Sequence, residues 1–126
     1  MLTGDGELQE GPNWEAVALA GHRKLSHLTL IVDRNRLQQG AGTEEMITLD
    51  PLDDRLRAFG FDVEMIDGHD PAALLAALSA PPTAKPRAVI ANTVKGKGVS
   101  FMQNQAKWHH GVPNTTQFVR SGAKRA

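Results

Sequence analysis

Apolar residues along the chain recur first at helical spacing and then in a short continuous run. Between residues 12 and 24 they include Trp14, Val17 and Gly21, which would share one face of a helix packed on a sheet. Residues 28–32 are apolar and β-branched, which is typical of a strand covered on both faces. The first third of the chain therefore predicts a helix followed by a buried strand.

Helices and strands continue to alternate through the middle of the chain. Asp, Pro and Gly mark the boundaries, because Asp caps helix N-termini whereas Pro and Gly end helices. The predicted helices are 51–59, with Asp50 as N-cap, and 71–80, with Asp70 as N-cap, and the predicted strands are 61–66 and 87–94. This alternation favours an α/β fold with a parallel sheet, in which ligands bind at the carboxyl ends of the strands.

The last quarter of the chain lacks such periodicity. Residues 95–126 are rich in Gly, Gln, Asn and His, and they predict a long functional loop that continues into a tail. Arg120, Lys124 and Arg125 make the end of the chain basic. We expect one α/β domain over residues 1–115 and a basic, flexible tail over residues 116–126.

The composition is that of an ordinary globular protein, with 14 Lys and Arg balancing 14 Asp and Glu among 126 residues. A net charge of zero argues against nucleic acid or an anionic membrane as the main partner, since neutralising phosphates needs a cationic excess. The absence of cysteine excludes disulfides, thiolate metal sites and cysteine nucleophiles. No apolar run approaches the roughly 18 residues of a membrane span and no leader pattern is visible, so we expect a cytoplasmic location.

Polar residues follow the ends of two neighbouring strands. Gly4-Asp5-Gly6 follows the stub of a strand and precedes a helix, where its glycines would let backbone N–H groups approach a phosphate. A carboxylate beside a phosphate is electrostatically unfavourable unless a cation lies between them, and Mg²⁺ commonly binds carboxylates together with phosphate oxygens. Asn35 and the backbone carbonyl of Leu37, at the end of the next strand, complete a candidate ligand set with Asp5.

Six segments in order carry a more specific pattern. They are Gly-Asp-Gly-Glu-Leu-Gln-Glu-Gly (4–11) with Trp-Glu-Ala (14–16), Ala-Gly-His-Arg-Lys-Leu (20–25), Ile-Val-Asp-Arg-Asn-Arg-Leu-Gln (31–38), Asp-Gly-His-Asp (67–70), Thr-Val-Lys-Gly-Lys-Gly-Val-Ser-Phe-Met (93–102) and Trp-His-His-Gly-Val-Pro (108–113). Over about residues 2–115 the chain resembles the thiamine diphosphate-binding domain of transketolase, most closely that of two-chain transketolases. The resemblance implies the C-terminal portion of that domain, an incomplete parallel sheet with helices on both faces.

The resemblance also implies roles for individual residues. Asp5, Asn35 and the carbonyl of Leu37 would bind Mg²⁺, and Gly6 and Asn35 would contact the diphosphate. Glu10 corresponds to an acidic residue at the interface between cofactor-binding subunits, where it is linked to a partner glutamate and takes part in catalysis. Near a helix N-terminus Glu10 is equally explained as an ordinary acidic residue that stabilises the helix dipole.

The resemblance further implies a histidine, after the Lys-Gly-Lys-Gly loop, that reaches the diphosphate and a sugar substrate. Counting from Gly98 and from Trp108 selects His109, whereas His110 is the alternative because it directly precedes Gly111. Two adjacent histidines could also be a metal pair, but no third ligand lies near them in the sequence.

Several parts of the family's active site have no counterpart in these residues. The upstream half of the diphosphate domain and the pyrimidine-binding domain, whose glutamate activates the thiamine ring, are both missing. A sheet truncated in this way would expose a strand edge and an apolar face, so we expect obligate assembly with chains that supply the missing parts.

The expected function is that of a thiamine diphosphate- and Mg²⁺-binding component of a split transketolase-like enzyme, which transfers a two-carbon ketol unit between sugar phosphates. One alternative is a non-catalytic scaffolding subunit or a remnant of such an enzyme. Another is a related thiamine enzyme that acts on an unusual sugar or keto acid.

Overall fold

All strand pairs in the described chain are parallel, as the alternation of strands and helices predicts. The structure is a computed structural model that describes residues 1–121. The elements in chain order are strand β1 (Leu2–Gly4), a 3-10 turn (Gly6–Gln9), helix α1 (Gly11–His22), β2 (Thr29–Arg34), α2 (Thr43–Met46), α3 (Leu52–Ala58), β3 (Asp62–Asp67), α4 (Pro71–Ser79), β4 (Arg87–Asn92), a second 3-10 turn (Ala106–His109) and α5 (Thr115–Arg120).

The four strands lie in the order β1-β2-β4-β3. Thr3 of β1 pairs with Val32 of β2, and Val32 pairs with Ile90 of β4. Because all strands run the same way, the loops after β1 and β2 meet at one edge of the sheet. This register brings Gly4 beside Asp33, so the two polar segments that follow these strands become neighbours.

Helices cover both faces of the sheet, which confirms the predicted fold class. The larger core packs α1 and α3 against one face through buried residues of the helices, strands and connecting segments. Its members are Leu8, Val17, Ala20, Leu30, Val32, Leu49, Leu52, Leu56, Phe61, Ala88 and Ile90. The smaller core joins α4 to β3 and β4 on the opposite face through Ile66, Ala77, Val89 and Ala91.

Part of the α4 side of the sheet remains open in the described chain. The register places Leu2 of β1 and Ile31 of β2 on the same face as Val89, beyond the small core under α4. Leu2 and Leu75 of α4 are each 69% exposed. Apolar surface of this kind is suited to contact with other polypeptide. Within residues 1–121, no helix has the length and hydropathy needed to cross a membrane.

The predicted N-cap is confirmed for α4 and wrong for α3. Asp70 accepts a hydrogen bond from the backbone N–H of Ala72 at 2.9 Å. Pro51 occupies the cap position of α3, and no side chain caps that helix. The Asp50 carboxylate instead pairs with Arg34 and Arg36. Because both oxygens of Asp50 are engaged by these arginines, the carboxylate is not directed at the N-terminus of α3.

Regular structure continues beyond Lys95, where the sequence predicts only loop and tail. The second 3-10 turn and α5 both lie in this segment. Asn114 and Gln117 form a reciprocal capping box that stabilises the first turn of α5. Residues 122–126 lie outside the described residues, so their flexibility stays a prediction.

Candidate functional site

A cavity of about 400 Å³ opens beside the carboxyl ends of β1 and β2. Its walls are Gly4, Asp5, Gly6, Glu7, Glu10, Asn35, Leu37, Gln38, Gln39 and His109. Of the residues that the sequence predicts for the site, only His110 is absent from these walls. The fold therefore brings the other predicted residues together, while their individual roles stay predictions.

Asp5 is the most deeply buried of the predicted ligands, with 1% of its surface exposed. One carboxylate oxygen, Oδ2, accepts hydrogen bonds from the backbone N–H of Arg36 at 2.6 Å and from Arg34 Nη1 at 3.0 Å. The other oxygen, Oδ1, is buried and has no hydrogen-bond partner. Burial raises the pKa of Asp5, against the opposing effects of the Arg36 N–H, the Arg34 guanidinium and the nearby N–H of Gly6, which does not complete a hydrogen bond to Oδ1.

An orphaned carboxylate oxygen in a buried position is costly unless a cation or a proton satisfies it. The Oδ1 atom of Asp5 is such an oxygen, and Asp5 lines the cavity. A cation bound in the cavity would satisfy this oxygen and would offset the desolvation of the carboxylate.

Asn35 and Leu37 also line the cavity, and each carries a neutral oxygen atom. The side-chain oxygen of Asn35 accepts a hydrogen bond from the backbone N–H of Leu37 at 3.0 Å, which holds the amide in a tight local turn. An amide oxygen has two lone pairs, so Asn35 Oδ1 keeps one for a second partner. Asn35 is 9% exposed, which means that its orientation is set by the protein rather than by solvent.

The donor set fits a hard divalent cation. One carboxylate, one amide oxygen and one backbone carbonyl are the ligand types that Mg²⁺ takes together with phosphate oxygens and water. Within residues 1–121, no group of three or more His, Cys, Asp and Glu side chains is arranged to hold a metal ion. The oxygen donors of Asp5, Asn35 and Leu37 also differ from the Cys and His ligands of structural zinc sites.

The backbone at Gly6 requires a residue without a bulky side chain. A Cβ atom at Gly6 would lie 3.0 Å from the Cβ of Gln38. Gln38 is fixed in turn, because its Nε2 donates to Gln9 Oε1 at 2.8 Å. Glu10 lies at the exposed rim of the cavity, where α1 begins. The carboxylate of Glu10 can therefore reach groups outside this chain.

The two histidines occupy different positions relative to the cavity. His109 lines it and His110 does not, although their rings meet edge to face with centroids 4.7 Å apart. Trp108 anchors this turn, since its indole N–H donates to the carbonyl of Phe101 at 2.7 Å. His109 is exposed, and desolvation beside the cavity, with smaller effects from the positive charges of Lys95 and His110, lowers its pKa. The geometry thus favours His109 as the histidine that can meet a ligand.

Sequence reasoning missed several residues of the site. Glu7, Gln38 and Gln39 line the cavity. Glu7 and Gln38 lie within the segments that carry the resemblance, but no local pattern marks any of the three as a ligand. Arg34 is buried beside Asp5, with 2% of its surface exposed. The signal for Arg34 was present in the alternation of β2, because this residue continues the core-facing row of Leu30 and Val32.

The chain is similar in sequence to known transketolase subunits. Residues 1–125 match the family described as the transketolase, thiamine diphosphate binding domain. The chain is 46% identical over 114 residues to one subunit of the apulose-4-phosphate transketolase of Actinobacillus succinogenes, which covers 90% of this chain and 41% of that protein. It is 41% identical over 111 residues to 6-deoxy-6-sulfo-D-fructose transketolase subunit SqwG of a Clostridium species. That match covers 86% of this chain and 40% of the subunit.

Solved structures of transketolases share the same fold. The crystal structure of transketolase from Campylobacter jejuni superposes with a TM-score of 0.79 at 37% identity, covering 86% of this chain and 17% of that one. A transketolase of Pichia stipitis, in complex with sedoheptulose-7-phosphate, gives a TM-score of 0.84 at 30% identity. That superposition covers 95% of this chain and 18% of the other. The chain spans about two fifths of the length of these two curated subunits.

Proposed function

The chain belongs to the transketolase family of thiamine diphosphate-binding domains, and on that premise we propose that it is the diphosphate- and Mg²⁺-binding component of a split transketolase-like enzyme. The reaction moves a two-carbon ketol unit from a ketose phosphate to an aldose phosphate. One carbon–carbon bond breaks in the donor and one forms in the acceptor, so the transfer needs no net oxidant or reductant.

A single observation carries the metal and diphosphate part of the proposal. It is the unpartnered, buried Oδ1 of Asp5 in a cavity that Asn35 and Leu37 also line. Asp5, Asn35 and the carbonyl of Leu37 would hold Mg²⁺, which would neutralise part of the diphosphate charge. Gly6 and Asn35 would contact the diphosphate itself, because the missing side chain at Gly6 leaves the backbone accessible there.

When bound, thiamine diphosphate supplies the carbon nucleophile for the reaction, and the protein supplies binding and orientation. His109 would contribute a neutral imidazole at the cavity wall, able to donate or accept a hydrogen bond to the sugar substrate or the diphosphate. Glu10, at the exposed rim, would pair with a glutamate of a partner chain. Its exposed position at the N-cap of α1 supports a contact of this kind.

We further propose that partner chains complete the enzyme, and that one of them carries the pyrimidine-binding domain. The relatives named as transketolase subunits support a multi-chain assembly. The open apolar surface around Leu2, Ile31 and Leu75 supports contact with such chains. We also place the assembly in the cytoplasm, because sugar phosphates are charged and charged groups enter the apolar interior of a membrane only at high cost.

Reconstitution tests this function. The chain is mixed with the candidate partner chains, and formation of the shortened aldose phosphate from a ketose phosphate is followed with an aldose acceptor. We expect turnover only when this chain, thiamine diphosphate and Mg²⁺ are all present. Turnover that is unchanged when this chain is omitted would contradict the proposal. Assembly without any cofactor binding would identify the chain as a scaffolding subunit instead.

The two histidines give a prediction that separates their roles. His109→Ala should lower turnover by about 100-fold or more, the usual range for loss of a group that handles protons or hydrogen bonds at a reacting centre. His110→Ala, which removes a neighbouring ring outside the cavity, should lower it only a few-fold. Mg²⁺ binding should be nearly unchanged in both variants. A larger loss of turnover in His110→Ala would assign the role to His110.

A further inference from the structure

Arg34 is a buried cation at the end of β2, beside the candidate metal site. Its surface is 2% exposed, and its side chain continues a row of buried apolar residues formed by Leu30 and Val32. Charged side chains are rarely buried to this extent unless they are paired. The guanidinium pairs with three carboxylates, those of Asp5, Glu44 and Asp50. So many charged groups around one buried side chain are unusual in the core of a sheet.

The two terminal nitrogens of the guanidinium, Nη1 and Nη2, form a planar fork, and each binds a different part of the protein. Nη1 donates to Asp5 Oδ2 and to Thr43 Oγ1, each at 3.0 Å. Nη2 donates to Glu44 Oε1 at 2.6 Å and to Asp50 Oδ1 at 3.0 Å. A planar fork with fixed donor directions therefore joins the Asp5 carboxylate to the segment of residues 43–50.

That segment is itself tied down around the fork. The Glu44 carboxylate accepts hydrogen bonds from the backbone N–H groups of Leu49, at 3.1 Å, and Asp50, at 3.3 Å. Thr43 is fully buried, and its backbone carbonyl accepts from Gln9 Nε2 at 2.7 Å. The fork is thus anchored on its far side, so it cannot turn away from Asp5 without breaking several other bonds.

We propose that Arg34 is a positioning residue that orients Asp5 for metal binding. By engaging Oδ2 from an anchored fork, together with the N–H of Arg36, it leaves Oδ1 as the only oxygen of Asp5 available to a cation. This inference rests on the proposed function of Asp5 as a Mg²⁺ ligand.

Simple charge repulsion leads to the opposite expectation, which makes the proposal testable. A guanidinium near a divalent cation repels it, so removal of Arg34 would strengthen metal binding if charge alone mattered. If Arg34 orients the ligand, its removal should weaken metal binding instead. Loss of a group that orients a metal ligand typically lowers metal affinity by about 10- to 100-fold.

Arg34→Met is the main variant, and Arg87→Met is its matched control. Arg87 is a partly buried arginine on neighbouring β4, and its guanidinium donates to backbone carbonyls at the end of α4, including that of Ala77 at 2.8 Å. It lies at the amino end of the strands, where it pairs with Thr29, and so sits away from the cavity. Both substitutions should reduce stability, but only one touches the candidate site.

Mn²⁺ is titrated into the full chain with thiamine diphosphate present, and free Mn²⁺ is counted from its electron paramagnetic resonance signal. A titration of cofactor without protein is subtracted, and the partner chains are added where wild-type binding requires them. We expect Arg34→Met to bind Mn²⁺ about 10- to 100-fold more weakly than wild type. Arg87→Met should bind it with wild-type affinity.

Two further variants keep the inference falsifiable if Arg34→Met does not fold. Arg34→Lys keeps the charge, but its single ammonium group cannot reproduce the planar fork that bonds Asp5 on one side and Glu44 on the other. Glu44→Gln removes the charge of one carboxylate that holds the fork. Each variant should weaken Mn²⁺ binding several-fold. Wild-type or tighter binding in Arg34→Met, or wild-type binding in both milder variants, would overturn the inference. Absence of Mn²⁺ binding in the wild type would instead overturn the proposed metal site.

Discussion

Replacing Asp5 by Asn should abolish Mg²⁺-dependent binding of thiamine diphosphate. The substitution keeps the size of the side chain but removes the negative charge of the buried group whose Oδ1 has no other partner. The loss of metal affinity should exceed the 10- to 100-fold that follows when only a supporting group is removed. Fluorescence titration of the cofactor at several Mg²⁺ concentrations measures the effect.

Asp33→Asn is the matched control for this prediction. Asp33 lies at the end of β2, and its carboxylate accepts a hydrogen bond from the hydroxyl of Thr93 without lining the cavity. Its substitution should change the Mg²⁺ requirement less than a few-fold. Equal Mg²⁺ dependence in wild type and Asp5→Asn would contradict the assignment of Asp5 as a metal ligand.

Replacing Gly21 by Ala should strongly destabilise the packing of α1 against the end of α3. A Cβ atom at Gly21 would lie 1.7 Å from the backbone carbonyl oxygen of Phe59, so α1 and the end of α3 would have to move apart. Overpacking usually costs about 1–3 kcal/mol, and a clash with backbone atoms belongs at or above the top of this range.

Chemical denaturation followed by tryptophan fluorescence measures this loss directly. Trp14 packs on Phe59, with ring centroids 5.8 Å apart, so its emission reports on the contact between α1 and the end of α3. Gly11→Ala in the same helix is the control, because a Cβ there meets nothing within 4 Å. It should change the free energy of unfolding by less than about 1 kcal/mol. Similar midpoints for both variants would show that the close packing at Gly21 does not stabilise the fold.

Much of the fold could be predicted from local patterns in the sequence. The runs that become β2 and β4 are continuous and apolar, and such runs indicate buried parallel strands before any contact is known. The N-cap at Asp70 was predictable because its partner lies two residues away. Asp50 was not, since its partners, Arg34 and Arg36, are brought to it by tertiary folding. Local capping patterns cannot reveal a competing charge from elsewhere in the chain.

In the candidate site, too, local sequence patterns predicted some residues, whereas others depend on contacts between distant segments. Asp5, Asn35 and Leu37 could be grouped because each follows a strand, and parallel strands end at one edge. His109 and His110 could not be separated, because the two are adjacent and only the anchored turn decides which one lines the cavity. The contacts of Arg34 could not be predicted from the sequence either, because they join segments up to 29 residues apart.

Calorimetric titration of thiamine diphosphate into the wild-type chain, with its partner chains present, tests the proposed cofactor site most directly. One titration contains Mg²⁺, and the matched titration contains a chelator in its place. We predict saturable binding of one cofactor per chain with Mg²⁺ and none with the chelator. Absence of saturable heat in both titrations, or equal affinity in the two, would contradict the assignment of this cavity as a Mg²⁺–diphosphate site.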